Sequence, residues 1–305
     1  MIVSLAKVAC MTETAVISQS VQARKDGALP EKLFGYNVIR RLGHGAGSLV
    51  YAVCKPGSAQ LFALKQVMRQ AVDDDRFVDQ LSNEYAVSRR FQQPGLRRCS
   101  LLRLKRGWGL KLTEAALMMD FIDGDPLGAG TVLQMPDLLD CMIQAARALH
   151  ALHGLGYVHC DIKPGNIMRT KEGQAWLIDF GQACRLGVAK ERIQGTPDYI
   201  AIEQVRRQAV SPRTDVFSLG ATMYWLLTGQ YVPTAVMLSG QDTAVLERQD
   251  YATPRDLRPQ VPAGWSDLVM RCVRMLPHER PQGMAEVLTA LEMQWGEVEA
   301  LRVGA

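Results

Sequence analysis

The sequence lacks the features that mark secreted, membrane-spanning and zinc-binding proteins. Its 305 residues include seven scattered cysteines, an odd number without a Cys-x-x-Cys pair, which argues against a disulfide framework or a zinc site. No run of 18 apolar residues occurs, and the apolar first ten residues are short and interrupted by Lys7, unlike an export signal. We therefore expect a protein of the reducing cytoplasm that makes no membrane contact.

A strong charge bias and repeated segments are also absent. Lys and Arg number 35 and Asp and Glu 31, which gives a net charge of +4. This bias is too weak to indicate nucleic acid or anionic membrane as a partner. What is present is 48% apolar and 22% charged residues, an ordinary composition for a soluble globular protein that buries its own core.

The periodicity of apolar residues changes along the chain. Short runs bounded by turn residues predict strands at 36–42, 49–53 and 60–67, with two more inside 101–112 and 115–121. Helical spacing predicts helices at 73–92, 138–152, 215–228, 266–275 and 284–295. The first third is therefore mainly sheet with one helix, and the rest is mainly helical.

A glycine-rich turn between the first two predicted strands is the first pattern with chemical meaning. Glycines let backbone N–H groups approach phosphate oxygens, although such a turn alone is weak evidence. The third predicted strand carries Lys65, and the helix after it carries Glu84, which can pair with Lys65. The turn consists of Gly43, His44, Gly45, Ala46, Gly47 and Ser48.

A second pattern follows the long amphipathic helix. Residues 159–166 read His-Cys-Asp-Ile-Lys-Pro-Gly-Asn, and residues 179–181 read Asp-Phe-Gly. These strings resemble the catalytic loop and the metal-binding Asp-Phe-Gly of protein kinases. A carboxylate at Asp161 can orient a hydroxyl and accept its proton, and Lys163 can neutralise charge on a transferred phosphate. Asn166 and Asp179 offer hard oxygen ligands for Mg²⁺.

The resemblance to the protein kinase family runs from about Phe34 to Trp295, with the family's motifs in the family's order. Residues 195–203, Gly-Thr-Pro-Asp-Tyr-Ile-Ala-Ile-Glu, resemble the end of a kinase activation segment, where Thr196 would lie at the substrate-docking site. Arg280 resembles the arginine that pairs with Glu203 in a structural ion pair. Lys163 is typical of the Ser/Thr class, and the segment 195–203 is most similar to the bacterial branch.

This resemblance implies an α+β, bilobal fold with a small antiparallel-sheet N-lobe, which has one main helix, and a larger, mostly helical C-lobe. We expect a kinase domain at 34–297, with lobes at 34–121 and 122–297, a poorly ordered tail at 1–33 and a C-terminal tail at 298–305. Many bacterial members carry a transmembrane helix and an external sensor after this domain. None is seen here, so we expect a soluble, stand-alone enzyme.

The implied activity is transfer of the γ-phosphate of ATP to Ser/Thr hydroxyls of protein substrates. Mg²⁺ is the expected metal, with Mn²⁺ as an alternative, and the oligomeric state is a monomer or a weak dimer. The implied catalytic residues are Asp161, Lys163, Lys65 and Glu84, and the implied metal ligands are Asn166 and Asp179.

The resemblance also implies where ATP binds, between the two lobes. Met119 would be the gatekeeper, the backbone of Asp120 and Ile122 would bond the adenine edge, and Asp125 would lie at the ribose. The adenine ring would be enclosed by Val50, Ala63 and Met168, which as apolar residues can equally be ordinary core. Leu42 and the glycine-rich turn complete the set.

The sequence departs from the family at several positions. Ser48, Ile202 and Phe217 replace a glycine, a proline and a tryptophan, which are tolerable exchanges. Cys160 replaces the arginine that normally binds a phosphate on the activation loop, and residues 182–194 contain no Ser, Thr or Tyr. Our hypothesis is a kinase that loop phosphorylation does not switch on. Cys160 and Cys184 flank the expected active site, either as a redox switch or as inert thiols.

Two other functions share these motifs. A pseudokinase scaffold normally loses the strand lysine, the catalytic aspartate or the metal aspartate, but Lys65, Asp161 and Asp179 are all present. A small-molecule kinase, such as an aminoglycoside phosphotransferase, shares the catalytic loop but lacks a segment like 195–203. The sequence therefore favours a protein kinase over both alternatives.

Overall fold

A computed structural model describes residues 29–45, 47–69, 75–108, 112–128, 130, 133–234 and 251–303 of the protein. The described chain divides into two compact units. The first contains the residues up to Tyr85 together with Arg98–Phe121, and the second contains Ala86–Arg97 and the residues from Ile122 onward.

The first unit is built on a six-stranded antiparallel sheet in the order β1-β2-β3-β4-β6-β5. Strand β1 lies within the segment that the sequence assigned to a tail, because Leu33 pairs with Tyr36 in a tight hairpin. The elements are β1 (Lys32–Leu33), β2 (Tyr36–Gly45), β3 (Ser48–Cys54), β4 (Leu61–Met68), α1 (Asp75–Ser88), β5 (Cys99–Arg106) and β6 (Leu112–Asp120).

Apolar side chains cover both faces of this sheet. Successive strand residues point to opposite faces, so Ala63 and Val67 pack in one cluster with Leu81 of α1. Phe62 and Leu64 pack in a second cluster, which residues of the segment around β1 complete. One strand, β4, thus contributes to two apolar clusters while its backbone pairs with β3 and β6.

Helix α1 is shorter than the predicted helix at 73–92. It ends at Ser88, so Arg89 and Arg90 lie in the following turn and not in its last turn. The early end has a packing reason, because Phe91 and Leu96 bury in the large core of the second unit. Residues 86–97 therefore belong to that unit, although the sequence placed them in the first lobe.

The second unit is mostly helical, with two small sheets of order β10-β9-β7 and β11-β8. Its strands are β7 (Gly124–Pro126), β8 (Tyr157–Val158), β9 (Ile167–Thr170), β10 (Ala175–Leu177) and β11 (Cys184–Arg185). Its helices are α2 (Met135–Gly154), α3 (Ile202–Val205), α4 (Pro212–Thr228), α5 (Pro254–Leu257), α6 (Ala263–Cys272), α7 (Met284–Glu292) and α8 (Trp295–Val303). The antiparallel-sheet unit with one main helix and the helical unit confirm the predicted fold class.

Helix α4 is positioned by signals that the sequence carries. Ser211 caps its N-terminus by accepting a hydrogen bond from the Arg213 N–H, and Pro212 occupies the first turn, where no N–H is needed. Gly229 ends it with a φ of 74°, the left-handed conformation that glycine tolerates. The helix is buried along most of its length, so it forms the centre of the second unit.

The helix predicted at 284–295 is two helices in the structure. Helix α7 ends at Glu292, and α8 starts at Trp295 and continues across the predicted domain boundary at 297. At the break, the buried Gln294 side chain donates to Ala290 O and lies against Gly264. Both segments have helical spacing, so the sequence pattern does not reveal the break.

Within the described residues, no helix is both long and apolar enough to cross a membrane.

Candidate active site

An ion pair in the first unit joins strand β4 to helix α1. Lys65 Nζ lies 2.8 Å from Glu84 Oε2, and the glutamate side chain is fully buried. Val78 and Leu81 of α1 pack in the same cluster as Ala63 of β4, so the apolar face of the helix sets the position of Glu84. The pair holds the ammonium group of Lys65 in one place, as a residue that contacts a phosphate requires.

The glycine-rich turn lies at the junction of β2 and β3. Gly43 pairs with Val50, and Gly45 pairs with Ser48. His44, between the two glycines, pairs with Leu49. Most of the predicted turn therefore belongs to the strand ladder, and Ala46 lies outside the described residues.

Gly47 is the position in this turn where glycine is required. Its φ of +83° is left-handed, and a Cβ atom placed on it would lie 2.5 Å from the ring of Phe77. Phe77 belongs to α1 and has the guanidinium of Arg76 over its ring at 4.5 Å. Phe77 could not be predicted as a neighbour of this turn, because no local sequence pattern links a residue of the helix to the β2–β3 turn.

Four residues of the predicted nucleotide site share one apolar cluster of the first unit. Ala63 and Met119 are buried and face each other across the β4–β6 ladder, while Leu42 and Val50 are partly exposed at the same cluster. The sheet register therefore brings together side chains that lie up to 77 positions apart in sequence numbering, from Leu42 to Met119.

The other predicted nucleotide contacts lie at the end of the first unit and in the second. The Asp120 N–H donates to Arg98 O at 3.0 Å. Ile122 accepts a backbone bond from the Gly124 N–H. Asp125 and Met168 lie in paired strands β7 and β9 of the second unit.

Four polar side chains of the second unit meet in one hydrogen-bonded group. The Thr196 hydroxyl donates to Asp161 Oδ1 at 2.7 Å, and Lys163 Nζ donates to the same hydroxyl at 2.7 Å. Lys163 Nζ also lies 3.2 Å from Asp161 Oδ2. The Asn166 amide donates to Asp161 O at 2.7 Å and to Oδ2 at 3.2 Å. The structure thus places a carboxylate, an ammonium group and an alcohol in mutual contact.

Asp179 lies next to this group through the backbone. The Ile178 N–H donates to Asn166 O at 3.0 Å, and Asp179 itself has a left-handed φ of 63°. Its carboxylate accepts a 3.4 Å bond from the Gly181 N–H. A non-glycine residue with positive φ is strained, and such residues cluster at functional sites.

The donor set of Asn166 and Asp179 fits a hard divalent cation. The Asn166 amide nitrogen bonds to Asp161, which leaves its amide oxygen as the acceptor, and Asp179 adds a carboxylate. Among the described residues, no group of three or more His, Cys, Asp and Glu side chains could hold a metal. Two oxygen ligands are what Mg²⁺ uses when phosphate oxygens and waters complete its shell.

Asp215 of α4 organises the backbone before Asp161. Its carboxylate accepts the His159 N–H at 2.8 Å and the Cys160 N–H at 2.9 Å, and it lies 2.8 Å from His153 Nε2. Burial raises the pKa of Asp215, but the hydrogen bond and charge of His153, with the charge and N–H of His159, outweigh it and lower the pKa overall. The sequence analysis missed His153, whose partner lies 62 positions away.

His159 links the segment around Asp161 to the segment around Asp179. Its Nδ1 accepts the Asp161 N–H at 3.3 Å, which leaves Nε2, 3.2 Å from Ile178 O, as the ring nitrogen that donates. Its ring also packs on Phe180 with centroids 5.0 Å apart, and Phe180 meets Phe91 edge to face at 4.9 Å. One imidazole therefore ties the backbone before Asp161 to the backbone before Asp179.

A buried ion pair joins α3 to the turn before α7. Arg280 Nη1 lies 2.8 Å from Glu203 Oε1, and Nη2 lies 3.1 Å from Oε2. The remaining N–H groups of the guanidinium donate to the carbonyls of Arg274, Arg213 and Met275. All five donors of Arg280 are used, as a fully buried guanidinium requires. This is the contact that the sequence predicted for Glu203 and Arg280.

Comparison with known proteins agrees with this geometry. A family described as the protein kinase domain matches residues 36–295, which is most of the chain. The chain belongs to the protein kinase family. In this family the strand lysine with its helix glutamate, the catalytic loop and the Asp-Phe-Gly motif have the same order along the chain as the groups described above.

Individual relatives include bacterial kinases, as the resemblance predicted. The serine/threonine-protein kinase PknA of Mycobacterium tuberculosis is 30% identical over 64% of this chain and 47% of its own length. The serine/threonine-protein kinase Pkn1 of Myxococcus xanthus is 33% identical over 59% of this chain and 28% of its own length. The chain thus spans less than half of these two relatives. Serine/threonine-protein kinase 16 of the rat is 26% identical over 81% of this chain and 86% of its own length.

The chain's departures from its family lie at packed positions. Ile202 is buried, and Phe217 lies beneath the Arg280 guanidinium at 4.9 Å, so an aromatic ring still supports the buried ion pair. Cys160 is buried, has a φ of 65°, and its sulfur lies 3.7 Å from the Cys184 sulfur. The sequence suggested that both cysteines flank the site but gave no sign of their contact.

Gln204 is a further residue that the sequence analysis missed. Its amide nitrogen donates to Cys160 O at 2.9 Å and to Gln194 O at 3.0 Å, and its amide oxygen accepts the Ala201 N–H at 3.2 Å. One buried side chain therefore connects the catalytic loop of the kinase to its activation segment. Its position directly after Glu203 is the only signal in the sequence, and it indicates no partner.

Proposed function

We propose that the protein is a Ser/Thr protein kinase that transfers the γ-phosphate of ATP to hydroxyl groups of protein substrates. The observation that carries this proposal is the contact of the Thr196 hydroxyl with Asp161 and Lys163, each at 2.7 Å. An alcohol there donates to the carboxylate expected to accept a proton, and the ammonium group lies beside the same oxygen. A substrate serine or threonine hydroxyl needs these two partners during phosphoryl transfer.

The polar residues have separate roles in the proposed reaction. Asp161 orients the attacking hydroxyl and accepts its proton, and Asn166 keeps that carboxylate in place through its amide. Lys163 neutralises charge on the transferred phosphate. Lys65, held by Glu84, contacts the phosphates of the nucleotide.

The proposed metal is Mg²⁺, with Mn²⁺ as the alternative, and Asn166 and Asp179 would hold it. When bound, the metal neutralises charge on the phosphate oxygens. The strained backbone of Asp179 and the Asn166 amide, whose nitrogen is held by Asp161, support this assignment.

The proposed nucleotide contacts are those that the family resemblance implies. The shared apolar cluster of Leu42, Val50, Ala63 and Met119 supports the assignment in the first unit. The full proposed set is Leu42, Gly43, His44, Gly45, Ala46, Gly47, Ser48, Val50, Ala63, Lys65, Met119, Asp120, Ile122, Asp125 and Met168. The Ser/Thr preference rests on Lys163 and on the names of the relatives. A cytoplasmic location and a monomeric or weakly dimeric state stay predictions.

The activity is tested with the purified chain, Mg²⁺ and γ-labelled ATP, with and without a generic protein substrate. We expect label on Ser and Thr of the substrate or of the chain itself. Asp161→Asn should lower the rate about 10²–10⁴-fold, as loss of a general base does. The thermal midpoint of the variant shows that the fold is retained.

Two results would contradict the proposal. A folded wild-type chain that binds ATP but transfers no label, in the presence of either metal, would indicate a scaffold. Label found on a small-molecule acceptor such as an aminoglycoside, and not on protein, would indicate a small-molecule kinase.

We also propose that loop phosphorylation is not needed for activity. The activation segment at 182–194 has no hydroxyl side chain, yet backbone bonds hold its central residues 186–188. The Leu186 N–H donates to Gly156 O, and the Gly187 N–H donates to Val210 O. The Val210 N–H donates in turn to Val188 O at 3.0 Å. These bonds replace the phosphate contacts that order such segments in other kinases.

Gln204 carries the most direct link in this arrangement. In other kinases, an arginine before the catalytic aspartate binds a phosphate on the activation segment and so joins that segment to the catalytic loop. Here the Gln204 amide makes this connection, because it donates to Cys160 O and to Gln194 O. The bond to Cys160 O is buried, so its loss would leave that carbonyl unsatisfied inside the protein. Gln204 is therefore a positioning residue for Asp161.

The test combines phosphosite mapping with a matched pair of variants. We expect full activity in enzyme without phosphate at 182–196, and a lower kcat in Gln204→Ala with a smaller change in KM for ATP. Gln208→Ala, at an exposed position, is the control and should match wild type. An activity that depends on a phosphate in this segment, or equal behaviour of the two variants, would overturn the proposal.

A further inference from the structure

Two cysteine sulfurs lie in contact beside the catalytic loop. Cys160 Sγ and Cys184 Sγ are 3.7 Å apart, and the Cys160 thiol also lies 3.7 Å from Val158 O. Strands β8 and β11 create the contact, because Cys184 pairs directly with Val158, two positions before Cys160. The sheet register therefore holds both sulfurs within reach of one bond.

The two thiols differ in access and in acidity. Cys160 is 1% exposed, whereas Cys184 is partly exposed at the edge of the small cluster with Val158 and Val210. The hydrogen bond from the Cys160 thiol lowers the pKa of Cys184 against the effect of burial, and the Lys190 charge adds to the lowering. The same bond and burial raise the pKa of Cys160. This is the arrangement of an accessible nucleophile with a resolving thiol behind it.

We propose that Cys160 and Cys184 are a redox site, which a hydroperoxide converts into an intramolecular disulfide that slows the kinase. The effect on activity rests on the proposed kinase function, whereas formation of the disulfide does not depend on it. The inert pair of buried thiols is the alternative, and the partial exposure of Cys184 together with the 3.7 Å contact argues against it.

The chemistry balances with hydrogen peroxide as the oxidant. The Cys184 thiolate attacks one peroxide oxygen, the O–O bond breaks, and hydroxide leaves and takes up a proton as water. Cys160 sulfur then attacks the sulfenic sulfur of Cys184, the S–O bond breaks, and a second water leaves with the thiol proton. Two thiols lose two electrons, and one peroxide becomes two waters.

The disulfide would act on Asp161 through the backbone of Cys160. A disulfide places its sulfurs at about 2.0 Å, closer than the 3.7 Å contact, so Cys160 and Cys184 must move toward each other. Cys160 already has a φ of 65°, and its N–H and carbonyl are fixed by Asp215 and Gln204. Movement of Cys160 therefore disturbs these bonds and the neighbouring Asp161.

The experiment treats the full chain with hydrogen peroxide, blocks free thiols, and maps disulfide-linked peptides by mass spectrometry. We expect a Cys160–Cys184 link that forms faster as pH rises toward the Cys184 pKa, since the thiolate is the nucleophile. Lys190 and Asp215 are the charged groups that face Cys184, with opposite effects. Kinase activity should fall several-fold with the link and return with dithiothreitol.

Two serine variants serve as controls. Cys184→Ser should keep its activity in peroxide, whereas Cys54→Ser, which removes another partly exposed cysteine, should respond like wild type. Oxidation of other cysteines without a Cys160–Cys184 link would overturn the site, and a link without loss of activity would overturn its regulatory effect. A chain that is inactive before treatment but forms the link would contradict the kinase function and support the disulfide.

Discussion

At the scale of single residues, Arg280 is the side chain with the most demanding surroundings. It is 3% exposed, binds Glu203 through two bonds, and gives its other donors to three carbonyls. A lysine carries three donors on one atom and cannot reproduce this fork. Lysine keeps the positive charge, but it leaves buried carbonyl acceptors without a donor, and each such group costs about 1–3 kcal/mol.

We therefore predict that Arg280→Lys lowers the free energy of unfolding by roughly 3 kcal/mol. The matched control is Arg271→Lys, because Arg271 forms an exposed ion pair with Glu286, and such pairs contribute about 0–1 kcal/mol. Urea unfolding of both variants measures the difference. Equal losses in the two variants would show that the buried network does not carry this stability.

At the scale of elements, the turn between β2 and β3 depends on helix α1. Gly47 has a left-handed φ, and the Phe77 ring occupies the space that a Cβ would fill. Gly57, in the turn between β3 and β4, has a similar φ of +76° but open space around it. Substitutions at these two glycines therefore distinguish the cost of backbone strain from the cost of steric contact with Phe77.

We predict that Gly47→Ala and Gly57→Ala each cost about 1–2 kcal/mol of stability from backbone strain. Only Gly47→Ala should also raise the KM for ATP, several-fold, because it pushes the phosphate-binding turn away from Phe77. Thermal unfolding and initial-rate kinetics measure the two effects. A similar KM in both variants would mean that the Phe77 contact does not position the turn.

The elements also show what sequence patterns can and cannot predict. Short apolar runs bounded by turn residues predicted the strands around Lys65, and helical spacing predicted α4, because these signals are local. The predicted end of helix α1 at residue 92 was wrong, because α1 ends at Ser88. The observed end is set by the burial of Phe91 in a core formed by distant residues, which no local pattern contains.

The candidate site shows the same contrast between local sequence signals and tertiary contacts. Residues that the family resemblance names, such as Asp161 and Asp179, could be predicted because their spacing along the chain is fixed by the family's motifs. His153, Gln204 and the Cys160–Cys184 contact could not, since each depends on a partner that only the tertiary fold brings near. Positioning contacts are therefore the part of a site that needs a structure.

At the scale of the whole molecule, ligand binding should raise the stability of the folded chain. A ligand that binds only the folded state adds stability that grows with its concentration over Kd, about 2.7 kcal/mol at one hundred times Kd. For a domain of this size, each kcal/mol corresponds to roughly 2–4 °C in thermal midpoint. Saturating ATP with Mg²⁺ is thus predicted to raise the midpoint by several degrees.

The metal dependence of this shift tests the proposed ligands Asn166 and Asp179 apart from catalysis. Chelation of Mg²⁺ should remove most of the shift, because ATP then meets Lys65 and Lys163 without the cation that offsets the carboxylates of Asp161 and Asp179. Asp179→Asn should show a small shift whether or not Mg²⁺ is present, while its midpoint without nucleotide stays close to wild type. A full Mg²⁺-dependent shift in Asp179→Asn would place the metal on other residues, even if the variant had lost all activity.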